Sequence, residues 1–124
     1  MTNPFRDQEK FMKACDQSTG DRNPQQYLMY ARLIDEEKKE FDQALLENDR
    51  VEQLDALIDI LVVTIGAIHS MGADAEGAWK EVMNTNFAKI DKETGKVRKR
   101  EDGKVLKPLG WTPPELSQFI KESK

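Results

Sequence analysis

Five acidic residues on two neighbouring segments are the side chains best suited to chemistry in this sequence. They are Glu36, Glu37, Glu40, Asp55 and Asp59. The first three crowd into "RLIDEEKKEFDQALL", where helical spacing places them within two turns of each other. Like charges at that spacing destabilise a helix by roughly 0.2–0.5 kcal/mol per pair. The crowding therefore predicts either a solvated helix face or a positive group among the carboxylates.

Asp59 favours the positive group, because it stands alone in the apolar segment "ALIDILVV". A buried aspartate without a partner is costly. If three or four carboxylates converge on it, one basic side chain does not neutralise them. Sites built from several carboxylate oxygens suit Mg²⁺ or Mn²⁺. We therefore expect a divalent metal beside Asp59.

Two predicted helices position these carboxylates. Apolar residues at helical spacing predict one helix over 25–46 and another over 51–71, joined by the short turn "ENDR". A connection this short makes the two helices antiparallel neighbours. Folding the hairpin about residue 48 turns the glutamates of the first helix towards the aspartates of the second, with Glu37 opposite Asp59.

The carboxylates allow two other interpretations. The glutamates could face solvent, with Lys38 and Lys39 interleaved between them. A di-iron bundle would need a Glu-x-x-His pair on each of two helices. The one histidine of the chain, His69, has Gly66 three residues before it, so we set the di-iron interpretation aside.

The rest of the chain predicts a single all-α domain over residues 1–124, with a helical core over 1–90 and a basic tail over 91–124. Turn signals in the tail indicate a loop or small hairpin. Further helices are predicted over 4–17, 74–88 and, as a short last helix, 113–122. The helix over 51–71 has the most apolar sequence, and its expected core residues are Leu54, Leu57, Ile58, Leu61, Val62, Ile65 and Ile68.

Composition and charge exclude several classes of protein. The 124-residue chain has a net charge of −4, which argues against a general nucleic-acid binder. Ten acids against four bases lie between residues 31 and 60, and eight bases against four acids between 89 and 107, which suggests a metal site and an anion site. Two surfaces that pair with each other would explain this asymmetry equally well. The single cysteine and the lack of a signal peptide or a membrane span predict a cytoplasmic protein.

At this point the sequence resembles the MazG-like, all-α nucleoside triphosphate pyrophosphohydrolases, related to phosphoribosyl-ATP pyrophosphohydrolases. Their pattern is Glu-x-x-Glu, a gap, then Glu-x-x-Asp. Glu37, Glu40 and Asp59 match it, whereas the second-half glutamate falls on Ala56, with Asp55 one position earlier. The segments "EVMNTNFAK" and "EDGKVLKPLGWTPPEL" resemble a branch seen in bacterial and phage proteins. The resemblance implies a four-helix MazG-like bundle with a basic C-terminal tail.

The resemblance also implies roles for individual residues. Glu37, Glu40 and Asp59 would bind Mg²⁺ or Mn²⁺, with Asp55 as a further ligand or behind the ligands. Glu36 would be a metal ligand or would orient the attacking water. On the predicted fourth helix, Asn86 and Lys89 would contact phosphates. We expect the base near the first helix, and the candidates there are Phe11, Met12, Lys13 and Cys15.

The implied reaction is hydrolysis of a (deoxy)nucleoside triphosphate between the α- and β-phosphates, giving the monophosphate and pyrophosphate. A purine deoxynucleotide such as dGTP or dATP is the favoured substrate. A dUTP- or dCTP-type pyrophosphatase and a non-catalytic helical nucleotide-binding or interaction module are the alternatives. Family members of this kind assemble as dimers or tetramers, so we expect a homo-oligomer, with no nucleic-acid or membrane partner.

Overall fold

The computed structural model describes residues 3–120. All regular secondary structure in this range is helical, and it contains no β-strand. These residues form two compact units, one of residues 3–75 with Ile120 and the other of residues 76–119. The all-α prediction is confirmed. The four helices are α1, Pro4–Ala14; α2, Pro24–Leu46; α3, Arg50–Ser70; and α4, Ala75–Phe87.

The first three helices begin at side-chain caps. The side-chain oxygens of Asn3, Asn23 and Asp49 accept hydrogen bonds from backbone N–H groups of the first helical turns. Prolines follow the two asparagines, at a position where no intrahelical N–H is needed. α1 is shorter than predicted, because Asp16 adopts a left-handed conformation (φ 59°) that ends the helix.

α2 and α3 form the predicted hairpin and pack along each other. Asn48 lies between them with φ 57°, which asparagine tolerates better than most residues. The carbonyl oxygen of Ala44 accepts hydrogen bonds from the N–H of Asp49 at 3.0 Å and from the side chain of Gln53 at 3.3 Å. These bonds hold the turn and therefore fix the register in which the two helices face each other.

A small core joins the three helices of the first unit. Met12 from α1, Tyr30 from α2, and Val63 and Ala67 from α3 are all buried in one cluster. Gly66 faces the Tyr30 ring so closely that an added Cβ would overlap it. The glycine therefore allows α2 and α3 to approach at this level.

His69 is buried in the last turn of α3, and its Nε2 lies 2.9 Å from the Phe5 carbonyl oxygen. This contact ties α1 to α3 and gives the histidine a structural role.

One face of α3 differs from the prediction. Leu54, Leu57, Ile58 and Leu61 were expected in the core, but 47–62% of each residue is exposed. The buried positions of α3 include Ala56, Val63, Ile65 and Ala67. α3 is apolar on most of its circumference, so periodicity alone did not show which side packs on α2. Among residues 3–120, no helix is both long and apolar enough to cross a membrane.

The second unit consists of α4 and two tight turns of the basic segment. Isolated antiparallel bridges join Ile90 to Val97 and Lys99 to Val105, so the predicted hairpin is present without regular strands. The N–H of Arg100 donates to the Lys104 carbonyl at 2.8 Å across the second turn.

The predicted last helix over 113–122 is wrong over its described part, which contains only a 3₁₀ turn, Ser117–Phe119. Consecutive prolines at 113 and 114 disfavour a helix start at residue 113, and the stretch after them is too short to be a stable helix by itself. A residue before proline is driven out of the helical region, and proline has no N–H to donate. The N–H of Glu115 instead donates to the Glu81 carboxylate on α4 at 2.8 Å. Residues 121–124 lie outside the described residues.

We predict that Gly66→Ala destabilises the protein by about 1–3 kcal/mol, because the new methyl group overlaps the Tyr30 ring. Urea unfolding measures this change. Tyr30→Leu makes room for the methyl group, so the double variant should lose less stability than the two single variants together. Additive losses would show that the two side chains do not meet.

Candidate metal and phosphate site

The polar face of α2 separates its lysines from its central glutamates. Lys38 pairs with Asp42 at 2.6 Å and Lys39 with Asp35 at 3.2 Å, and all four side chains are exposed. Among the described residues, neither Glu37 nor Glu40 has a basic group within 4.0 Å. The lysines in "EEKKE" therefore do not neutralise the two glutamates that face α3.

Four carboxyl groups come together between α2 and α3. Burial raises the pKa of Glu37 to about 7, helped by a hydrogen bond with Glu40 and by the charges of Glu40, Asp59 and Asp55. Burial also raises the pKa of Asp59, helped by the charges of Asp55 and Glu40 and by a hydrogen bond with Asp55. The pKa values of Glu37 and Asp59 are thus each raised in part by acidic groups on the other helix. The predicted proximity of glutamates and aspartates is present in the fold.

These residues fit a divalent cation. The Oε2 atom of Glu37 is buried and has no hydrogen-bond partner among the described residues. A buried polar atom without a partner costs about 1–3 kcal/mol, and a cation with oxygen ligands would satisfy it. Within residues 3–120, no three acidic, histidine or cysteine side chains already stand in a coordination arrangement.

Glu36 stands apart from this cluster. It is exposed on α2, and it is not among the groups that raise the pKa of Glu37 or Asp59. The structure therefore brings together Glu37, Glu40, Asp55 and Asp59. Glu36, one residue before Glu37 on α2, is exposed to solvent instead.

The two predicted phosphate-binding residues lie in the second unit. α4 ends at Phe87, so Asn86 is in its last turn and Lys89 follows the helix rather than lying on it. The Nζ of Lys89 donates to the Asn86 Oδ1 at 3.1 Å and lies 5.0 Å from the centre of the Trp111 ring. The lysine is thus positioned by an amide oxygen and an aromatic face.

The candidate base-binding residues belong to α1. Phe11 is 62% exposed, and Lys13 is exposed and pairs with Glu9 at 2.9 Å. Met12 is fully buried in the core, which removes it from the candidates. It packs in the same cluster as Val63, which lies about one helical turn beyond Asp59 on α3. Phe11 and Lys13 therefore flank a residue that packs close to the acidic part of the hairpin.

Sequence reasoning missed the role of Trp111. Its indole N–H donates to the Thr85 carbonyl at 2.7 Å, and its ring has the ammonium groups of Lys89 and Lys107 about 5 Å away. Residue spacing gave no sign of this arrangement, because it depends on the turns of the basic segment. Lys107, four residues before the tryptophan, was the available signal.

This fold and its acidic cluster define a class of all-helical proteins that gather carboxylates between two antiparallel helices. The sequence model of phosphoribosyl-ATP pyrophosphohydrolase matches residues 8–86, and the chain belongs to that family. The family is part of the MazG-like superfamily of all-helical NTP pyrophosphohydrolases, which supports hydrolysis of a nucleotide phosphoanhydride. No curated protein matches the sequence. The match contains all five carboxylates and Asn86, whereas Lys89 and the basic segment follow it.

We predict that, in EDTA, the free energy of unfolding falls as pH rises from about 4.5 to about 7 because of Glu37. The native protein keeps a proton on Glu37 that the unfolded chain, with an ordinary pKa of 4.5, has released. Thermal unfolding between pH 5 and pH 8 measures this effect, which we expect to be of the order of 1 kcal/mol after solvent screening.

Glu37→Gln removes this titration and should stabilise the metal-free protein at pH 8. Glu36→Gln is the matched control, because Glu36 is exposed on the same helix. Its pH dependence should follow that of the wild type. An identical pH dependence in Glu37→Gln and wild type would contradict the raised pKa of Glu37.

Proposed function

We propose that the protein hydrolyses a (deoxy)nucleoside triphosphate between the α- and β-phosphates, releasing the nucleoside monophosphate and pyrophosphate, with Mg²⁺ or Mn²⁺ as cofactor. The observation that carries the proposal is the group of four carboxyl groups between α2 and α3. It includes a buried oxygen of Glu37 that has no hydrogen-bond partner in the described part of the chain. The family membership supports the reaction class.

Glu37, Glu40 and Asp59 would hold the cation, with Asp55 as a further ligand or hydrogen-bonded behind Asp59. All four side chains are oxygen donors, which suits Mg²⁺ and Mn²⁺ and disfavours softer metals. A bound cation would neutralise phosphate oxygens and stabilise the charge that develops on the transferring phosphoryl group. Without it, the carboxylates would repel a triphosphate.

Glu36 is proposed to act on water. Its carboxylate is exposed one position before Glu37, so it is open to solvent while Glu37 is turned towards α3. In this role it would orient a water molecule for attack on the α-phosphorus and accept its proton. The new bond joins the water oxygen to the α-phosphorus, and the bond from that phosphorus to the bridging oxygen breaks. Pyrophosphate leaves with the bonding electrons.

Asn86 and Lys89 are proposed to bind phosphate oxygens. The amide of Asn86 holds the lysine ammonium, and the pair presents N–H donors and a positive charge. Phe11 is proposed to stack on the base and Lys13 to contact the nucleotide. The exposure of the Phe11 ring supports this role, because an aromatic ring of the core would be buried.

A purine deoxynucleoside triphosphate, dGTP or dATP, is the favoured substrate on the sequence resemblance. The family description favours a second candidate, phosphoribosyl-ATP, which would undergo the same type of cleavage. Both candidates contain a purine and an α–β phosphoanhydride, so the carboxylates would have the same role with either substrate. The resemblance also supports a setting in the cytoplasm of a bacterium, with a bacterial or phage gene as the source.

A second copy of the chain is the proposed partner. Leu54, Leu57, Ile58 and Leu61 form an exposed apolar stripe over two turns of α3. Their three- and four-residue spacing is that of helices that pack against an identical helix. A monomer would leave this stripe in water, and each fully buried leucine contributes about 1.5–3 kcal/mol. A homodimer or tetramer through α3 would cover the stripe.

We predict that Asp59→Asn lowers turnover at least 100-fold, because it removes a charge from the cation site. The assay presents dNTPs, NTPs and phosphoribosyl-ATP with Mg²⁺ or Mn²⁺ and identifies monophosphate and pyrophosphate. Asp42→Asn is the matched control, since Asp42 lies exposed on α2 in a pair with Lys38. It should keep activity within about twofold. No turnover of any substrate, or Asp59→Asn activity within severalfold of wild type, would overturn the proposal.

We predict that Leu57→Glu together with Leu61→Glu converts the oligomer to a monomer, because the charges cannot be buried between two α3 helices. Light scattering at tens of micromolar protein measures the mass. Leu109→Glu is the control, because Leu109 is fully exposed in the tail and lies outside the stripe. A wild-type protein of strictly monomeric mass would contradict the assembly.

A further inference from the structure

A cavity of about 210 Å³ lies within the second unit and is lined by three cationic side chains. This volume is much larger than the roughly 10–15 Å³ that a single water requires. The cationic lining residues are Lys89, Arg98 and Lys107, and the others are Asp91, Ile90, Leu106 and Pro108. Three of the seven lining residues are apolar, so the cations stand beside a wall that offers no hydrogen bonds to water.

Two tight turns fix the positions of the lining residues. In the first, the N–H of Asp91 donates to the Lys96 carbonyl and the N–H of Gly95 donates to the Asp91 carbonyl, both at 2.8 Å. In the second, the N–H of Leu106 donates to the Arg98 carbonyl at 2.8 Å. Arg98 and Leu106 are therefore held opposite each other, and Lys107 follows directly.

The negative charge of Asp91 is already engaged. Its Oδ1 accepts hydrogen bonds from the backbone N–H groups of Glu93 at 2.8 Å and Thr94 at 3.2 Å. This carboxylate stabilises its own turn and makes no ion pair within 4.0 Å with any described cation. Asp91 therefore compensates the cations of the cavity only in part.

The three cations lack carboxylate partners in the described part of the chain. Neither Lys89, Arg98 nor Lys107 has a carboxylate within 4.0 Å, whereas Arg100 at the neighbouring turn pairs with Asp102. Trp111 draws Lys89 and Lys107 together, since both ammonium groups lie about 5 Å from its ring. Three like charges held around one cavity create a strongly positive potential that favours an anion.

We propose that this cavity binds a diphosphate group, either free pyrophosphate or the polyphosphate of a nucleotide. Several cations around one cavity suit a ligand with several negative charges, and arginine can bind two phosphate oxygens at once. Of the three cations, only Lys89 has been assigned to phosphate above. All three lie beyond residues 8–86, to which the family match extends.

Binding of pyrophosphate, dGTP and dGMP in EDTA tests this proposal. EDTA leaves the carboxylates of α2 and α3 uncompensated, so that site repels phosphates and the titration reports the cavity. Calorimetry should show that pyrophosphate binds at least tenfold more tightly than dGMP, with affinity falling as salt rises. Comparable affinity for dGTP would identify a nucleotide polyphosphate as the ligand, and much weaker dGTP binding would identify free pyrophosphate.

Arg98→Gln and Lys107→Gln should each weaken pyrophosphate binding at least tenfold, and Arg98→Lys should restore part of it. Lys99→Gln and Lys104→Gln are matched controls, because they remove the same charge from the same segment without lining the cavity. They should change affinity less than twofold. Lys107→Gln also removes a contact with the Trp111 ring. Arg98→Gln tests the cavity without that additional change.

Absence of pyrophosphate binding at millimolar concentration would overturn the proposal, as would equal losses in the cavity and control variants. This result is separate from the proposed hydrolysis. Binding without turnover would reject the hydrolysis and keep the cavity. Turnover without specific pyrophosphate binding would reject the cavity and keep the hydrolysis.

Discussion

The mutual repulsion of four carboxyl groups between α2 and α3 is the constraint on which the function depends. Glu37 on α2 and Asp59 on α3 both have raised pKa values, and one Glu37 oxygen is buried without a hydrogen-bond partner among residues 3–120. A fold selected for stability alone would have little reason to keep this arrangement. A divalent cation would neutralise these like charges, so that the four groups would bind it instead of repelling each other.

The rest of the first unit holds that arrangement in register. The left-handed Asn48 sets the turn, and the close contact of Gly66 with Tyr30 fixes the separation of the two helices one to two turns beyond Asp59. The capping residues fix where each helix begins. In the second unit, two backbone turns and the Trp111 ring concentrate cations instead. One chain thus forms an acidic and a basic surface through different interactions.

The hairpin and its carboxylates could be predicted from sequence, because a short turn between two periodic segments leaves one register. Asp59 stood out because a charge inside an apolar run needs a partner. The outward side of α3 could not be predicted, since the helix is apolar on most faces and Leu57 and Ala56 differ in exposure without differing in class. The predicted last helix is wrong over its described part, because consecutive prolines disfavour a start at residue 113 and the stretch after them is too short to be a stable helix by itself. The proximity of Arg98 and Lys107 depends on hydrogen bonds across a turn. The number of charges in the segment could not predict it.

The most direct test of the account is the number of protons released when Mn²⁺ binds at pH 7, measured by calorimetry in two buffers of different ionisation enthalpy. Glu37, with a pKa of about 7, is about half protonated in the metal-free protein and must lose that proton to bind a cation. The account predicts Mn²⁺ binding with release of about half a proton or more, and a smaller release in Glu37→Gln. No Mn²⁺ binding, or binding without proton release, would contradict it.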